Sequence, residues 1–534
     1  MTVDSTYTIG TLTLRNFNGD INRLTGNGKL IFDNGSADSF VNFGRTNTRY
    51  STLRPDLDVD VQLNSNLDVR MGSARNEESS VGRIGRVISG TGKLTLTLGY
   101  IVSDATLTRL YKLGSSGANT YSGGTEVRSV LPTAYGANTS GMSPNSLFLN
   151  ALSSGAFGSG DVLLNSASLN TSPVTVLTTG SGGLQLKLSA NNVMGSSAKL
   201  TQGGDGAGLV LLESTTQSLA GLETLGTSTE QGRKRISSST GASLTLNTRA
   251  GQSYTYGGII VGPTSMRVSG SGKQVFTNVN AYSGATTVES GTLAIASGGA
   301  INSTSGVTVN GSTAEFNYNS STTLSQPLTL TQGILSGTGT IGTAVSVGSG
   351  AVLSPGNSPG TQAFTAGLTW LSGGTYDWEI NDATGTLGGN PGWDLLDVTG
   401  GTLSLASLTP GSFTLDLITL SNLVSGSMAN YTPGQQYTWQ IVRTAAGGVM
   451  TPSGTAVGGE DLTSLFNLVT ASWASGPVPS TIQVKVSSGG TGLDLVVVPE
   501  PETLVLAGVG VFMAGWSLWK RRRIAAICDP DARA

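Results

Sequence analysis

The sequence predicts an all-β protein of stacked coils, a β-rich domain after them, and a short apolar helix near the C-terminus. Three observations lead there. First, the 534 residues include 77 Gly, 67 Ser and 68 Thr, so small residues dominate a chain that is still 37% hydrophobic and only 11% charged. That mixture is too apolar and too weakly charged for a disordered tail. It is also too poor in Glu, Lys and Arg, and too rich in Gly, Ser and Thr, for a helical domain. Second, apolar residues alternate with polar ones over short stretches, as at Leu94, Leu96 and Leu98, which is the period of a half-buried strand. Third, short glycine-containing elements recur along the chain.

One such element is an apolar residue, Ser or Thr, and then Gly-x-Gly. It occurs at Leu24-Thr25-Gly26-Asn27-Gly28, Ile88-Ser89-Gly90-Thr91-Gly92, Val268-Ser269-Gly270-Ser271-Gly272 and Leu335-Ser336-Gly337-Thr338-Gly339. A second reads Asn-x-Tyr-Ser-Gly-x-Thr-x-Val, at Asn119 to Val127 and again at Asn280 to Val288. From the latter, Val288, Val309, Leu330 and Val347 continue at steps of 21, 21 and 17 residues. Short strands between glycine turns at this period suit a parallel β-solenoid, in which only stacking supplies a core. Between 130 and 260 the period is poor, so insertions or irregular turns are expected there.

Both elements resemble the autotransporter-associated β-strand repeat of bacterial surface and secreted proteins. Residues 350–360, Gly-Ala-Val-Leu-Ser-Pro-Gly-Asn-Ser-Pro-Gly, look like the segment that closes many such regions. The resemblance implies a right-handed parallel β-helix over residues 1–365. Beyond it all seven Trp residues appear, five of them at 370, 378, 393, 439 and 473. Residues 366–495 are therefore expected to form a β-rich capping domain, since an uncapped sheet edge invites aggregation. A short helix is expected from Asp461 to Leu468, with Asp461 as its N-cap.

Composition excludes much chemistry. Histidine is absent, which removes the commonest general base and metal ligand. The single cysteine, Cys528, permits no intrachain disulfide. Over residues 1–498 there are 24 basic and 28 acidic side chains, so the body offers no footprint for nucleic acid. No cofactor is expected. Gly337 to Gly342 fits G-x-G-x-x-G but is followed by a strand pattern, and reads as a turn. Gly203-Gly204-Asp205-Gly206 is a single copy of a calcium-type turn that works only in tandem. Arg233-Lys234-Arg235 reads as a solvated loop. The best candidates for chemistry are Asp377, Glu379, Asp382, Asp394 and Asp397. Asp377 and Glu379, two apart on a predicted strand, share one face. Such a group suits calcium or the acid and base of a glycosidase; the plainer reading is a solvated strand face. No catalytic residue is assigned.

The C-terminus reads Val498-Pro499-Glu500-Pro501-Glu502-Thr503, then an apolar stretch over 504–519, then Lys520-Arg521-Arg522-Arg523. Sixteen helical residues rise about 24 Å, near the short limit for a hydrocarbon core. Trp516 and Trp519 suit an interfacial belt, and the four cations would hold that end on the cytoplasmic side. Residues 498–523 resemble the PEP-CTERM sorting signal of exported bacterial proteins. The resemblance implies processing by a membrane exosortase that recognises Pro499, Glu500 and Pro501, export to the envelope or beyond, and association with exopolysaccharide. Residues 524–534, a longer tail than such signals usually carry, would remain cytoplasmic. Met1-Thr2-Val3-Asp4-Ser5-Thr6-Tyr7 has no basic or apolar leader region. An N-terminal export signal is therefore expected upstream of this start. The sequence thus predicts an exported, non-enzymatic surface protein of structural or adhesive type. The alternative is a carbohydrate-active enzyme, glycosidase or lyase, on the same scaffold.

Overall fold

Alternation decides the local structure. In Ala242–Thr248, Ala242, Leu244 and Leu246 turn inward and are buried, while Ser243 and Thr245 face outward. A strand with one apolar face cannot bury it alone, so it needs a neighbour of the same pattern. The computed structural model of the chain describes residues 2–16, 23–45, 56–71, 83–84, 86–99, 109–113, 118–130, 147–165, 184–444 and 448–498. It divides into two units, residues 1–343 and 344–534.

In the first unit, successive strands alternate between sheets, so each strand pairs with one a full circuit later. A 12-stranded sheet runs from Thr6–Ile9 to Ala281–Tyr282, and an eight-stranded sheet from Thr11–Asn16 to Gly221–Thr224. Every described pairing within them is parallel, as between Leu94–Gly99 and Thr125–Val130. Further along, Thr216–Leu219, Ala242–Thr248, Thr264–Gly270, Thr286–Val288, Val307–Tyr318 and Leu328–Gly337 form a third parallel row. One register line in it joins Leu219, Leu246, Val268, Val288, Val309 and Leu330. The 21-residue steps read from the sequence are circuits of the chain. All six side chains are buried, each contributing about 1.5–3 kcal/mol relative to exposure. Long all-parallel sheets fed by alternating strands are what a solenoid requires.

Earlier circuits are longer: Val127 pairs with Leu164, 37 residues on, and Leu164 with Gln202, 38 residues on. Parallel pairing nevertheless continues through the stretch where the sequence period is poor. Helix is nearly absent among the described residues. The α-helix Ser228–Gln231 carries a capping box between Thr227 and Glu230.

The second unit begins as parallel rows and ends antiparallel. Thr375–Ile380, Phe413–Ser421 and Phe466–Val469 pair in parallel, as do Thr361–Phe364, Leu395–Val398 and Tyr437–Thr444. Gly492–Val498 then pairs antiparallel with Tyr437–Thr444, and Thr481–Val486 antiparallel with Gly492–Val498. The core is aromatic. Trp370 stacks on Phe413 with ring centres 4.4 Å apart, and Trp378 lies 5.7 Å from Trp439. The helix expected from Asp461 to Leu468 is one 3₁₀ turn, Thr463–Leu465, followed by the strand Phe466–Val469. The N-cap position is filled by Leu462, which makes no side-chain capping bond; Asp461, one residue earlier, accepts from the Thr463 amide at 2.9 Å. Beyond the turn, pairing of Phe466 and Leu468 with Phe413 and Leu415 overrides the helix.

Candidate functional site

The repeated elements hold the coils together. In both copies of Asn-x-Tyr-Ser-Gly-x-Thr the Asn side chain spans neighbouring coils: Asn119 Oδ1 accepts from the Ile88 amide, and Asn280 Oδ1 from the Ile260 amide, each at 2.8 Å. The buried Tyr121 and Tyr282 hydroxyls share hydrogen bonds with Thr125 and Thr286. Gly-x-Gly is dictated by close approach. A Cβ on Gly90, whose φ is +105°, would stand 2.2 Å from the Leu63 carbonyl oxygen of the preceding coil, and one on Gly92 2.1 Å from that of Ser65. Gly26, Gly270 and Gly337 meet the same obstacle. Strands flank the G-x-G-x-x-G stretch, at Leu328–Gly337, Thr340–Ile341 and Val345–Val347.

Asp377, Glu379 and Asp394 lie near one another, while Asp382 and Asp397 have partners of their own. Asp377 and Glu379 share the outer face of Thr375–Ile380, while Tyr376, Trp378 and Ile380 are wholly buried on the other. Asp394 is itself buried. Its Oδ1 accepts from the Gly360 amide at 2.7 Å and its Oδ2 from the Glu379 amide at 3.0 Å. Burial pushes the Asp394 carboxyl well above its usual range, and the nearby Glu379 adds to this; the two amides work against it. Asp382 accepts from the Thr384 amide and the Asn430 side chain, which outweigh partial burial and hold its carboxyl low. Asp397 is gripped at both oxygens by Arg443, at 2.9 and 2.6 Å.

A sixth carboxylate belongs here. Asp416 is the register partner of Asp377 on the adjacent strand, and its buried Oδ1 has no hydrogen-bond partner. Burial, with Asp416 and Glu379 beside it, raises Asp377 to about 6. Burial also raises Glu379, against a hydrogen bond from Ser358, and raises Asp416. Alternation along Phe413–Ser421 sets Asp416 on the outer strand face, and the register sets it beside Asp377. Among the described residues, no group of three or more acidic side chains stands in metal-holding geometry.

The calcium-like turn holds a cation from the chain itself. Lys234, within the basic triplet read as a solvated loop, is completely buried at the start of Lys234–Ser237. Its Nζ donates to the carbonyls of Gly203, Gly204 and Gly206 at 2.9, 2.7 and 2.5 Å. Arg233 adds a bond to the Asp205 carbonyl at 2.7 Å.

Pro499, Glu500, Pro501, Lys520, Arg521, Arg522 and Arg523 lie outside the described residues, as does the apolar stretch 504–519. Among the described residues no helix is long and apolar enough to cross a membrane.

Two family models match parts of the chain. The passenger-associated-transport-repeat matches residues 112–129 and 267–295, which contain both Asn-x-Tyr-Ser-Gly-x-Thr copies. The PEP-CTERM protein-sorting motif matches residues 497–523. No curated protein matches the chain. The chain therefore carries both the repeat and the sorting motif recognised in its sequence. PEP-CTERM sorting implies an exported, exosortase-processed surface protein with a C-terminal membrane-associated signal.

Proposed function

We propose that the chain is a non-enzymatic surface scaffold, a right-handed β-helix that presents Ser-, Thr- and Asn-rich faces to extracellular polysaccharide or neighbouring cells. Its role is mechanical. Interlocked backbone turns and buried Asn and Tyr–Thr bridges make a stiff body, and the sorting signal delivers that body to the envelope. Pro499, Glu500 and Pro501 are the exosortase's recognition residues in this reading. Residues 504–519 hold the precursor in the inner membrane until processing, with Lys520 to Arg523 on the cytoplasmic side. The observation that carries the proposal is the coexistence in one chain of the sorting motif and long all-parallel sheets that include two passenger-type repeat segments. The absence of histidine and the structural engagement of Asp382, Asp394 and Asp397 support the non-enzymatic part. Fractionation tests the proposal. In a host with an exosortase, the protein should be recovered with the surface polysaccharide, and a strain unable to make that polymer should release it to the medium. Retention in the cytoplasm would refute it.

One observation favours a second reading, a β-helix carbohydrate-active enzyme. Asp377, raised to about 6, stands beside Asp416, and a raised carboxyl next to another is the arrangement an acid–base pair uses. Hydrolysis or lysis of a polysaccharide, abolished by Asp377→Asn and by Asp416→Asn, would establish that reading in place of the first.

A further inference from the structure

In the first unit, the turns leading into the eight-stranded sheet enclose an open groove of about 780 Å³, within the usual size of a ligand cleft. Its lining is polar and already organised. Lys199 Nζ lies 2.8 Å from Glu223 Oε2, and the Thr201 hydroxyl donates to the same carboxylate at 3.1 Å. Arg249 Nη2 lies 3.1 Å from Asp161 Oδ1, which also accepts from the Lys199 amide at 3.0 Å. Lys93, a third cation in the lining, pairs with Glu126 at 2.6 Å. Beside these pairs is an apolar contribution. The Leu163 and Leu225 methyls converge over Gly203, 3.5 and 3.6 Å from where a Cβ would be, and Leu225 is 48% exposed. Glycines 123, 124 and 160 pack backbone to backbone in the same lining, where side chains would not fit.

The chemistry narrows the ligand. Each cation is matched by a carboxylate, so the groove has no excess charge to select a polyanion. The lining has no aromatic ring on which a base could stack. The Lys199–Glu223 and Arg249–Asp161 pairs, whose members all line the groove, instead present a donor and an acceptor side by side, matching vicinal hydroxyls. Because the pairs are fixed by their own hydrogen bonds, little ordering is left to pay for on binding. The leucine pair suits the C–H face of a sugar ring. We infer that this groove binds a segment of a neutral, hydroxyl-rich pyranose glycan. The inference deepens the proposed surface role and rests on it for the ligand's presence.

Calorimetric titration of the full chain with cellohexaose, laminarihexaose and mannohexaose, and with hexagalacturonate as the charged control, tests it. At least one neutral hexaose should bind, and Leu225→Asp and Arg249→Ala should each weaken that binding at least tenfold. Both side chains are substantially exposed, so the variants should keep the parent's circular dichroism. Failure of all three neutral sugars, binding of hexagalacturonate alone, or unchanged affinity in both variants would overturn the groove. Cosedimentation with the host's extracellular polysaccharide separates this from the broader reading. If the parent and both variants sediment equally, the groove falls and the surface role stands; if the parent does not sediment, the polysaccharide role falls as well.

Discussion

On Thr125–Val130 of the first unit, Glu126 meets Lys93 at 2.6 Å and accepts from Asn165 at 3.2 Å. On Thr375–Ile380 of the second, Asp377 meets another carboxylate, Asp416. Both acids sit on the outer face of a strand in a parallel sheet, yet they shift in opposite directions. Burial works against the charged form of Glu126, but Lys93, Asn165 and Arg128 outweigh it and hold the carboxyl low. Burial and two like charges raise Asp377 to about 6. The cause lies in composition: residues 1–130 hold 14 basic against 12 acidic side chains, whereas residues 274–498 hold only Arg443 and Lys485 against 11 acidic ones. One β architecture thus tolerates charge in two ways, by pairing it and by partly protonating it.

The signs of the pH effects follow. Glu126 has a folded value below its ordinary 4.5. It adds stability above that pH and loses it as pH falls through the folded value. Asp377 has a folded value above its ordinary 3.8. Between 3.8 and 6 its folded form holds a proton that the unfolded chain has released, so its cost at neutral pH is relieved on acidification. Mild acid should therefore stabilise the second unit, and stronger acid should destabilise the first.

The largest effects test each unit's packing. Trp370→Ala removes a wholly buried ring stacked on Phe413 and should cost the second unit about 3–5 kcal/mol, read as a lowered denaturant midpoint for tryptophan emission. Gly270→Val places a branched side chain at a φ of +88° against the Thr248 carbonyl oxygen. It should cost the first unit about 3 kcal/mol, with coil unfolding followed by circular dichroism. The next two break the electrostatic comparison directly. Lys93→Met removes the ammonium beside Glu126 but leaves Asn165, and with the lysine partly exposed it should destabilise by about 1 kcal/mol at pH 7. Asp377→Asn should stabilise by about 1–2 kcal/mol at pH 7.5 and remove the gain between pH 6 and 4, as measured by melting across that range. Equal signs for the two would dissolve the contrast. Smallest is Arg443→Ala, which frees Asp397 from a half-exposed pair and should lower stability by about 0.5–1 kcal/mol.

What could be read from the sequence was what repeats or alternates. The line Val288, Val309, Leu330 is visible because one circuit there has a constant length, and the shared face of Asp377 and Glu379 follows from the two-residue period of a strand. What escaped depends on partners fixed only by folding. The Lys234 cage joins residues 28 to 31 positions apart, and its lysine sits in a charged triplet that looks soluble. Asp397 finds Arg443 46 residues away. At Asp461 the local signal marks where one turn begins, but Leu462 takes the N-cap position, and strand pairing with Phe413 and Leu415 decides the residues after the turn. The 37- and 38-residue circuits hide their period because insertions change circuit length without disturbing the strand register.

If the C-terminal motif delivers this body to the surface, the chain is cut there by an exosortase. Intact mass of the protein, expressed behind an N-terminal export signal in a host that has an exosortase and in one that lacks it, reads that processing. A product ending near Pro499 is expected only in the competent host. An unprocessed C-terminus in both would contradict it.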